Sequence, residues 1–259
     1  MRYRMKNQLL CLAIAIAAMC PNMVLAQTNP NPSVTPIHGN NYGEWTAKWW
    51  QWLLAVPTSS NPNLDTTGAN CGTGQSGSVW FLSGTFPGTE GPPFNLTSSV
   101  TRTCTVPKGK SLLLPLPNTV FGAGTGDCET PVFNPIPCRE YRFGDLKDVP
   151  ALHAAAAALG IDPIDMSTIT VTLDSVPITN LASYRAASST FQYTLPESNV
   201  IRDVFGLPDT PGKYNPAVSD GYWLLFEPMP VGVHTIVIKT VLPAPAVPAQ
   251  LKFDLHIVP

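Results

Sequence analysis

The amino-acid sequence predicts a mostly β fold: a β-sandwich of jelly-roll or Greek-key type with two short helices and long, disulfide-stapled loops. Three observations lead to this prediction. Apolar and polar residues alternate with a period of two in the C-terminal part of the chain, as they do on strands with one buried face. Proline and glycine occupy 28 and 19 of the 259 positions, so long helices are unfavourable. Hydrophobic residues form 44% of the chain, which is enough to bury a core and argues against disorder.

The charge content narrows the possible functions. Charged residues make up only 12% of the chain and give a formal net charge of −2, whereas soluble proteins carry about 25% charged residues. This composition excludes a coiled coil, a long helical bundle and a basic nucleic-acid-binding domain. No nucleic-acid partner is therefore expected.

Residues 1–26 have the pattern of a secretory signal peptide. A basic segment precedes the apolar run Leu9–Met19, whose 11 residues are too few to cross a bilayer of about 30 Å as a helix. The segment Val24–Ala26 suits a cleavage site. An uncleaved anchor and a lipoprotein attached through Cys20 are the alternatives. Without this segment the chain carries 12 basic and 17 acidic residues, a net charge of −5, and it is expected to be secreted or periplasmic with no transmembrane segment.

The rest of the chain divides into a leader and one domain. Residues 27–40 are polar and rich in proline, which predicts a flexible leader. Residues 41–259 show no internal repeat and no interdomain linker, so they are predicted to form a single β-sandwich domain.

Four cysteines lie beyond the predicted signal peptide, and an even number in an exported chain indicates two disulfides. Four cysteines allow three pairings, of which we favour Cys71–Cys104 and Cys128–Cys138. The second pair closes a short, proline-rich loop, where local pairing costs little entropy. The alternative is a four-cysteine metal site, which would normally contain a C-x-x-C pair that this chain lacks.

The first predicted element is a helix rich in tryptophan. Trp45, Trp49 and Trp52 recur at helical spacing and define one apolar face. Asn40 or Asn41 can cap the helix, and Pro57 ends it. The same spacing puts Glu44 and Lys48 in the favourable order for an i, i+4 ion pair, and it puts Trp50 about 100° away from Trp49.

The middle of the chain predicts short strands and one long loop. Apolar runs at Ser78–Ser83 and Thr101–Val106 are expected to pair, which would bring Cys71 and Cys104 to one edge. A further strand is predicted at Ser111–Leu116. Residues 117–142 then form a loop long enough to need a staple or a function.

A second helix is predicted from Asp148, which would cap it, to Gly160. A β-hairpin follows at residues 169–178, with Asp174 and Ser175 in its turn. Phe191–Leu195 is a further strand, and residues 196–219 are expected to form a second long loop.

The C-terminal part gives the clearest β pattern, with strands at Tyr222–Glu227, Val233–Thr240 and Leu251–Val258. Pro228–Gly232 would join the first two as a tight hairpin-like turn. The whole chain is thus expected to hold about nine strands and two helices.

Several short sequences together resemble a family of exported bacterial proteins that has no assigned activity and shares a W-x-x-x-W-W-x-W helix motif and a C-terminal β region. The similarity covers most of the chain beyond the signal peptide. It implies bacterial origin, export and a common fold, and it supplies no catalytic residue. It is carried by Glu44-Trp45, Trp49-Trp50-x-Trp52, Asp65-Thr66-Thr67-Gly68, Cys71, Gly74-Gln75-Ser76-Gly77, Val79-Trp80-Phe81-Leu82, Arg102-x-Cys104, Val106-Pro107-x-Gly109-Lys110, Asp220-Gly221-Tyr222-Trp223 and Gly232-x-His234-Thr235-Ile236.

Two other motifs are weak. Gly72–Gly77 matches G-x-G-x-x-G, but a dinucleotide site needs a strand before it and a helix after it, so a glycine-rich loop is expected. The same loop nearly matches the nucleophile motif around Ser76, again without the required strand and helix.

His234 shares a strand face with Ile236, which predicts a hydrogen-bonded core histidine; a metal site with His256 is the alternative. No metal and no cofactor is predicted.

The tryptophan helix gives the main indication of function. Trp50 is expected to be exposed beside the carboxylate of Glu44, and Tyr222 and Trp223 are expected in or beside loops. Exposed aromatic rings with polar neighbours can hold sugar rings, because C–H groups lie against the π-face. These four residues are the predicted ligand-binding residues of a secreted or surface-associated binding protein. A polysaccharide or another envelope protein is its expected partner.

Two other functions stay open. An exported hydrolase would use a carboxylate-based site in the long loops, whereas a structural envelope protein would dock another chain through the tryptophan helix. The candidate carboxylates suit caps, turns or solvated charges equally well, so no catalytic residue is assigned and binding is favoured over catalysis. These candidates are Glu44, Asp65, Asp203, Asp220 and Glu227.

The two disulfide pairings can be tested by peptide mapping without reduction. We expect one peptide pair that joins Cys71 to Cys104 and another that joins Cys128 to Cys138. Losing either bridge should cost about 2–5 kcal/mol of unfolding free energy. A peptide that joins Cys71 to Cys128, or four free thiols, would contradict the pairing.

Overall fold

The computed structural model describes residues 32–33, 38–84, 99–122, 149–204, 206, 210–242 and 247–259. These residues form two five-stranded sheets that face each other across a common core, with a helix on the outer face of the first sheet. The predicted mostly β sandwich is confirmed.

The strands are distributed between the sheets as follows. The first sheet contains β1 (Val79–Phe81), β3 (Ser111–Gly122), β6 (Arg185–Ala187), β7 (Phe191–Leu195) and β8 (Gly212–Phe226). The second sheet contains β2 (Val100–Pro107), β4 (Thr170–Leu173), β5 (Val176–Ile178), β9 (Gly232–Leu242) and β10 (Val247–Val258). The helices are α1 (Tyr42–Ala55), α2 (Val149–Ala155) and α3 (Val200–Asp203), with 3-10 turns at Thr58–Ser60, Met166–Thr168 and Leu181–Tyr184.

The strand order departs from the predicted neighbours. The first sheet runs β1-β3-β8-β6, with β7 also on β8, and the second runs β2-β10-β9-β4-β5. The expected pairing of β1 with β2 is wrong, because the chain crosses to the second sheet after β1 and returns, so β1 pairs in parallel with β3 and β2 pairs in parallel with β10. The expected hairpin at Pro228–Gly232 is also wrong: this segment carries the chain from β8 in one sheet to β9 in the other. Prolines cannot donate to a ladder, which suits a segment that leaves the sheet.

The first sheet is buried on both faces. Successive side chains of a strand point to opposite faces, yet Leu112, Leu113 and Leu114 of β3 are all 0% exposed. Trp223 and Leu224 of β8 show the same pattern, with 0% exposure on both faces. Continuous apolar runs of this kind are typical of strands covered from two sides.

Each face of that sheet packs against a different layer. Leu114 and Leu224 join Phe253 and Leu255 of β10 in the core between the sheets. Leu113 and Trp223 instead join the tryptophans of α1 in a second core on the outer face. The described residues therefore form three layers, in the order helix, sheet, sheet.

Strands extend into two segments predicted to be loops. Residues 117–122 continue β3, and the segment 212–219 belongs to β8. The register of β3 on β8 shifts between Pro115 and Asn118, which accommodates Pro117. Gly221 lies opposite the shift with φ of +156°, and a Cβ there would be 2.4 Å from Cβ of Asn118, so the close approach requires glycine.

Other predicted elements are confirmed with small changes at their ends. The β4–β5 hairpin turns at Asp174 and Ser175, which both have positive φ, as a two-residue hairpin turn requires. The second helix ends one residue beyond Gly160, because a π-helical turn, Ala156–Ile161, extends α2. The predicted cap at Asp148 lies outside the described residues.

The N-terminal leader is not wholly flexible. The backbone N–H of Ser33 donates to the carbonyl of Leu225 at 2.9 Å, and the hydroxyl of Tyr42 bonds both to the Ser33 carbonyl and to the N–H of Leu225. The prediction of a flexible leader over 27–40 is therefore wrong at this point, because the sheet offers it hydrogen-bond partners. The predicted signal peptide lies outside the described residues.

A disulfide joins Cys71 to Cys104, with the two Cα atoms 5.7 Å apart, so this predicted pairing is confirmed. The segment before Cys71 lies along β2, where the N–H of Thr103 donates to the carbonyl of Thr67 at 2.9 Å. A Cβ at Gly68 would be 2.4 Å from the carbonyl oxygen of Thr103, so glycine is required there. Cys128 and Cys138 lie outside the described residues.

Arg102 of β2 is a buried cation that points into the core and is 1% exposed. Its guanidinium donates to the carbonyls of Asp65, Ser83 and Gly84, each at 2.6 Å, and it lies 5.9 Å from the ring centroid of Phe253. Burial lowers the pKa of Arg102 to about 10, against the opposing charge of Asp65. The group therefore keeps its proton at neutral pH and connects two loop segments to the second sheet.

Replacing Arg102→Met should lower the free energy of unfolding by about 3–5 kcal/mol, because it leaves several buried carbonyls without a donor. Urea denaturation at neutral pH measures the change. Lys239→Met is the matched control, since Lys239 is exposed and a surface change should stay within about 0.5 kcal/mol. Equal stability of the two variants would show that Arg102 does not hold the loops.

Candidate functional site

Helix α1 begins with a capping box. The side chain of Asn41 accepts from the N–H of Glu44 at 2.9 Å, and the carboxylate of Glu44 accepts from the N–H of Asn41 at 2.7 Å. Asn41 is therefore the predicted cap, and Glu44 stabilises the helix start. The expected ion pair between Glu44 and Lys48 does not form, because the ammonium of Lys48 donates to Asn40 instead.

Trp50 is buried, which corrects the prediction that it is exposed. Its exposed fraction is 7%, equal to that of Trp45, while Trp49 is at 1%. The helix lies in a trough, since Trp50 belongs to the same apolar cluster as Phe191 and Tyr193 of β7. A single-sided amphipathic pattern therefore does not describe α1.

Tyr222 and Trp223 are also not in loops. They are neighbours in the middle of β8, 8% and 0% exposed respectively, and they face opposite sides of the first sheet. Of the four predicted ligand-binding residues, only Glu44 is on the surface. The structure does not bring these four residues together at a surface.

The aromatic rings of α1 form a network with unequal hydrogen bonding. Trp49 meets Trp50, Trp52 and Trp223 edge-on, with centroids 5.1, 6.0 and 5.4 Å apart. The indole N–H of Trp49 donates to the carbonyl of Leu82 at 2.8 Å, and that of Trp52 to the carbonyl of Thr73 at 2.9 Å. Within the described residues, the buried indole N–H groups of Trp50, Trp80 and Trp223 have no partner.

The solvent-facing strip of α1 consists of Glu44, Lys48, Gln51 and Ala55. A cleft of about 650 Å³ lies between the last three of these residues and the glycine-rich loop, Gly72–Gly77. The aromatic wall of the cleft is formed by Trp45, Trp52 and Phe81. The centroid of Phe81 is 6.3 Å from that of Trp45 and 5.4 Å from that of Trp52. The cleft thus exposes the edge of the outer core.

Polar groups of the strip and of the turn before α1 border the aromatic wall. The ammonium of Lys48 lies 4.6 Å from the ring centroid of Trp45 and donates to the amide oxygen of Asn40 at 2.8 Å. The amide nitrogen of Gln51 donates to the carbonyl of Gln192 at 2.8 Å, which leaves its oxygen able to accept. His38 contacts the hydroxyl of Ser111 through Nε2 at 3.1 Å.

The glycine-rich loop closes the other side of the cleft, and its expected interpretation is confirmed, since a turn precedes it and β1 follows. Gly74 has φ of +65°, and a Cβ there would be 3.2 Å from the indole nitrogen of Trp52. The side chain of Gln75 stiffens the loop by bonding the N–H and the carbonyl of Phe81 at 3.0 and 2.7 Å. Ser76 is exposed at the rim.

The carboxylates proposed for a hydrolase are hydrogen-bonded elsewhere. Burial raises the pKa of Asp65, but hydrogen bonds from Asn70 and Thr67 and the charge of Arg102 outweigh it, so the net pKa is lowered. Hydrogen bonds from Thr58 and Ser198 lower the pKa of Asp203.

Asp220 is also committed to a structural contact. Two of its hydrogen bonds come from Arg185, at 3.1 and 2.7 Å, and Arg185 also pairs with Asp162 at 2.8 Å. Glu227 is exposed on the connection after β8. Among the described residues that line the cleft, none is aspartate or glutamate.

The two strand histidines lie apart. In the β9–β10 register His234 is opposite Leu255, and His256 is opposite Val233, so the two imidazoles point to opposite faces. His234 is half-buried and contacts the carboxylate of Asp174 at 2.7 Å. In the described part of the chain no group of three or more His, Cys, Asp or Glu residues is placed to hold a metal ion.

Sequence reasoning missed the residues that do form the cleft, above all Lys48, Gln51 and Phe81. A signal was present, because the residues between the tryptophans of α1 recur at i, i+3 and i+4 and mark the face that stays in solvent. None of the helices in the described ranges is long and apolar enough to cross a membrane. No protein-family profile, curated protein or solved structure matches the chain.

The neighbouring tryptophans allow a matched test of the indole hydrogen bonds. Trp49→Phe should lower the free energy of unfolding by about 1–3 kcal/mol more than Trp50→Phe does. The reason is that Trp49→Phe leaves the buried carbonyl of Leu82 without its donor. Both variants remove the same atoms, so the loss of apolar area largely cancels. Urea denaturation measures both, and equal losses would contradict the hydrogen bond from Trp49 to Leu82.

Proposed function

We propose that this chain is an exported binding protein that holds a glycan in the cleft between α1 and the glycine-rich loop. One observation carries the proposal: the half-buried ring of Phe81 and the edges of Trp45 and Trp52, which are 7% and 8% exposed, line a single cleft together with hydrogen-bonding side chains. The proposal moves the ligand from the surface first predicted around Trp50 to a site one face away on the same helix.

The chemistry of the cleft suits a sugar ring. A pyranose has a C–H face that packs on aromatic carbons and a rim of hydroxyls that needs donors and acceptors. The cleft provides both, since Gln51 can accept, Lys48 and Ser76 can donate, and the ring of Phe81 is half-buried. Its volume of about 650 Å³ lies within the range of about 300–1,000 Å³ that small-ligand sites occupy.

Export is supported by the covalent chemistry of the chain. The Cys71–Cys104 disulfide is of a kind that persists in oxidising compartments such as the periplasm or the extracellular space. The basic and apolar pattern of residues 1–26 fits the same route.

Binding is favoured over hydrolysis by what lines the cleft. A glycoside hydrolase uses a pair of carboxylates across the scissile bond, whereas the cleft presents amide, ammonium, imidazole and hydroxyl groups. Asp65, Asp203 and Asp220 accept hydrogen bonds that shape turns and strands. A docking role for α1 in an envelope assembly is the competing function that the next experiment separates.

Filling the cleft should abolish binding without unfolding the protein. Ser76→Trp places a large ring at the exposed rim, so retention on polysaccharide should fall roughly tenfold or more, which corresponds to about 1.4 kcal/mol. Affinity electrophoresis in gels that contain cellulose, xylan, galactan or polygalacturonate measures retention. Thermal unfolding of the variant should stay close to that of the original chain.

Thr105→Trp is the matched control, because Thr105 is exposed on β2 in the second sheet, away from the layer that carries α1. It should leave retention unchanged. Loss of retention in both variants, or in neither, would contradict the cleft as the site. No retention of the original chain on any gel would favour the docking function, and product release on incubation would favour an exported hydrolase.

A further inference from the structure

The cleft differs in charge from the chain that surrounds it. The whole sequence carries more acidic than basic residues, 17 against 15. The cleft reverses this balance, because Lys48 lines it while no described lining residue is acidic. A second lysine lies beside it, since the ammonium of Lys110 donates to the carbonyl of Gly77 in the glycine-rich loop.

Among the described residues, no carboxylate pairs with the ammonium of Lys48. Glu44 lies one turn before it, but the carboxylate of Glu44 caps the helix through the N–H of Asn41. The ammonium of Lys48 contacts the amide oxygen of Asn40 at 2.8 Å and the ring of Trp45 at 4.6 Å. Both contacts are uncharged, and together they hold the cation at the aromatic wall.

From this geometry we infer that the cleft selects acidic sugars, and that Lys48 determines this specificity. The ring of a uronic acid lies on the aromatic wall, and its carboxylate pairs with the ammonium of Lys48. A charge-assisted hydrogen bond of this kind is stronger than a neutral one. The inference rests on the proposed glycan site and adds the class of sugar.

The position of Lys48 over Trp45 gives the selection a second cause. A neutral sugar that approaches the ring of Trp45 must displace the ammonium without replacing its electrostatic partner. An acidic sugar offers a carboxylate in exchange for the cation–π contact. Discrimination therefore comes from a cost to the wrong ligand as well as a gain to the right one.

The test compares an acidic sugar with its neutral twin. Titration calorimetry on the full mature chain would use oligogalacturonate and the methyl ester of the same oligomer, which differ in charge and little in shape. We expect the acid to bind at least about tenfold more tightly than the ester. Raising the salt concentration from about 0.05 to about 0.5 M should weaken binding of the acid and not of the ester.

Lys48→Met should remove this preference, so that acid and ester bind within about twofold of each other. Lys239→Met makes the same change on the exposed face of β9 and should keep the preference. Equal binding of acid and ester by the original chain, or a preference that survives in Lys48→Met, would overturn the inference.

These outcomes separate the inference from the function on which it rests. One outcome is that the protein binds the ester, or is retained on the neutral polysaccharide gels, without preferring the acid. That result would overturn the acidic-sugar inference and leave the proposed glycan site intact. Binding of neither oligomer, together with no retention on any gel, overturns both. Binding of the acid that persists in Ser76→Trp places the acidic ligand outside the cleft and also overturns the inference.

Discussion

A buried guanidinium holds one wall of the cleft to the body of the protein. Arg102 reaches from β2 to the carbonyls of Asp65, Ser83 and Gly84. The segment 65–84, which contains the glycine-rich loop and β1, is therefore held at both of its ends. Between these ends lie the carbonyl that accepts from Trp52 and the side chain of Gln75 that bonds Phe81. Because unsatisfied buried carbonyls are costly, the position of the glycine-rich loop depends on a cation that never touches the cleft. Asn61 adds a second connection through the last turn of α1, where its amide bonds the carbonyls of Leu53 and Val56.

The three-layer arrangement explains why α1 carries so many aromatic residues. The first sheet is apolar on both faces, and the second sheet covers one of them. The helix must cover the other, and β7 and the glycine-rich loop flank it, so most of its surface is buried. The solvent-facing strip contains one residue from each turn of the helix. The ligand site proposed above lies along that strip, which holds most of the exposed surface of the helix.

How far the sequence predicts this structure depends on the range of the interaction. Local patterns succeed: the Asn41 cap, the turn at Asp174 and Ser175, and the strands around Phe253 follow from capping, positive φ and period-two alternation. The predicted strand pairing is wrong, because the alternation of apolar and polar residues defines the faces of β1 and β2 and does not show which strand lies beside them. Trp49 and Trp50 do point in different directions from the helix axis, as predicted. Trp50 is nevertheless buried, because the helix is covered on several sides. The cleft was missed for the same reason, since the loop that meets Lys48 is distant in sequence.

The hydrogen bond between Ser33 and Leu225 links residues that are far apart along the chain. Among the described strands, β2 pairs with β10, which comes last in chain order. Both sheets are thus closed by late segments, which gives the fold a high contact order. Such topologies fold slowly, because the chain loses entropy on closing long loops before the strand pairs that stabilise the fold have formed. An N-terminal part of this chain lacks the strand that pairs with β2 and the acceptor for Ser33 until the C-terminal strands exist. For a chain that is exported, as we propose, this order of assembly delays folding until β8, β9 and β10 are available to pair.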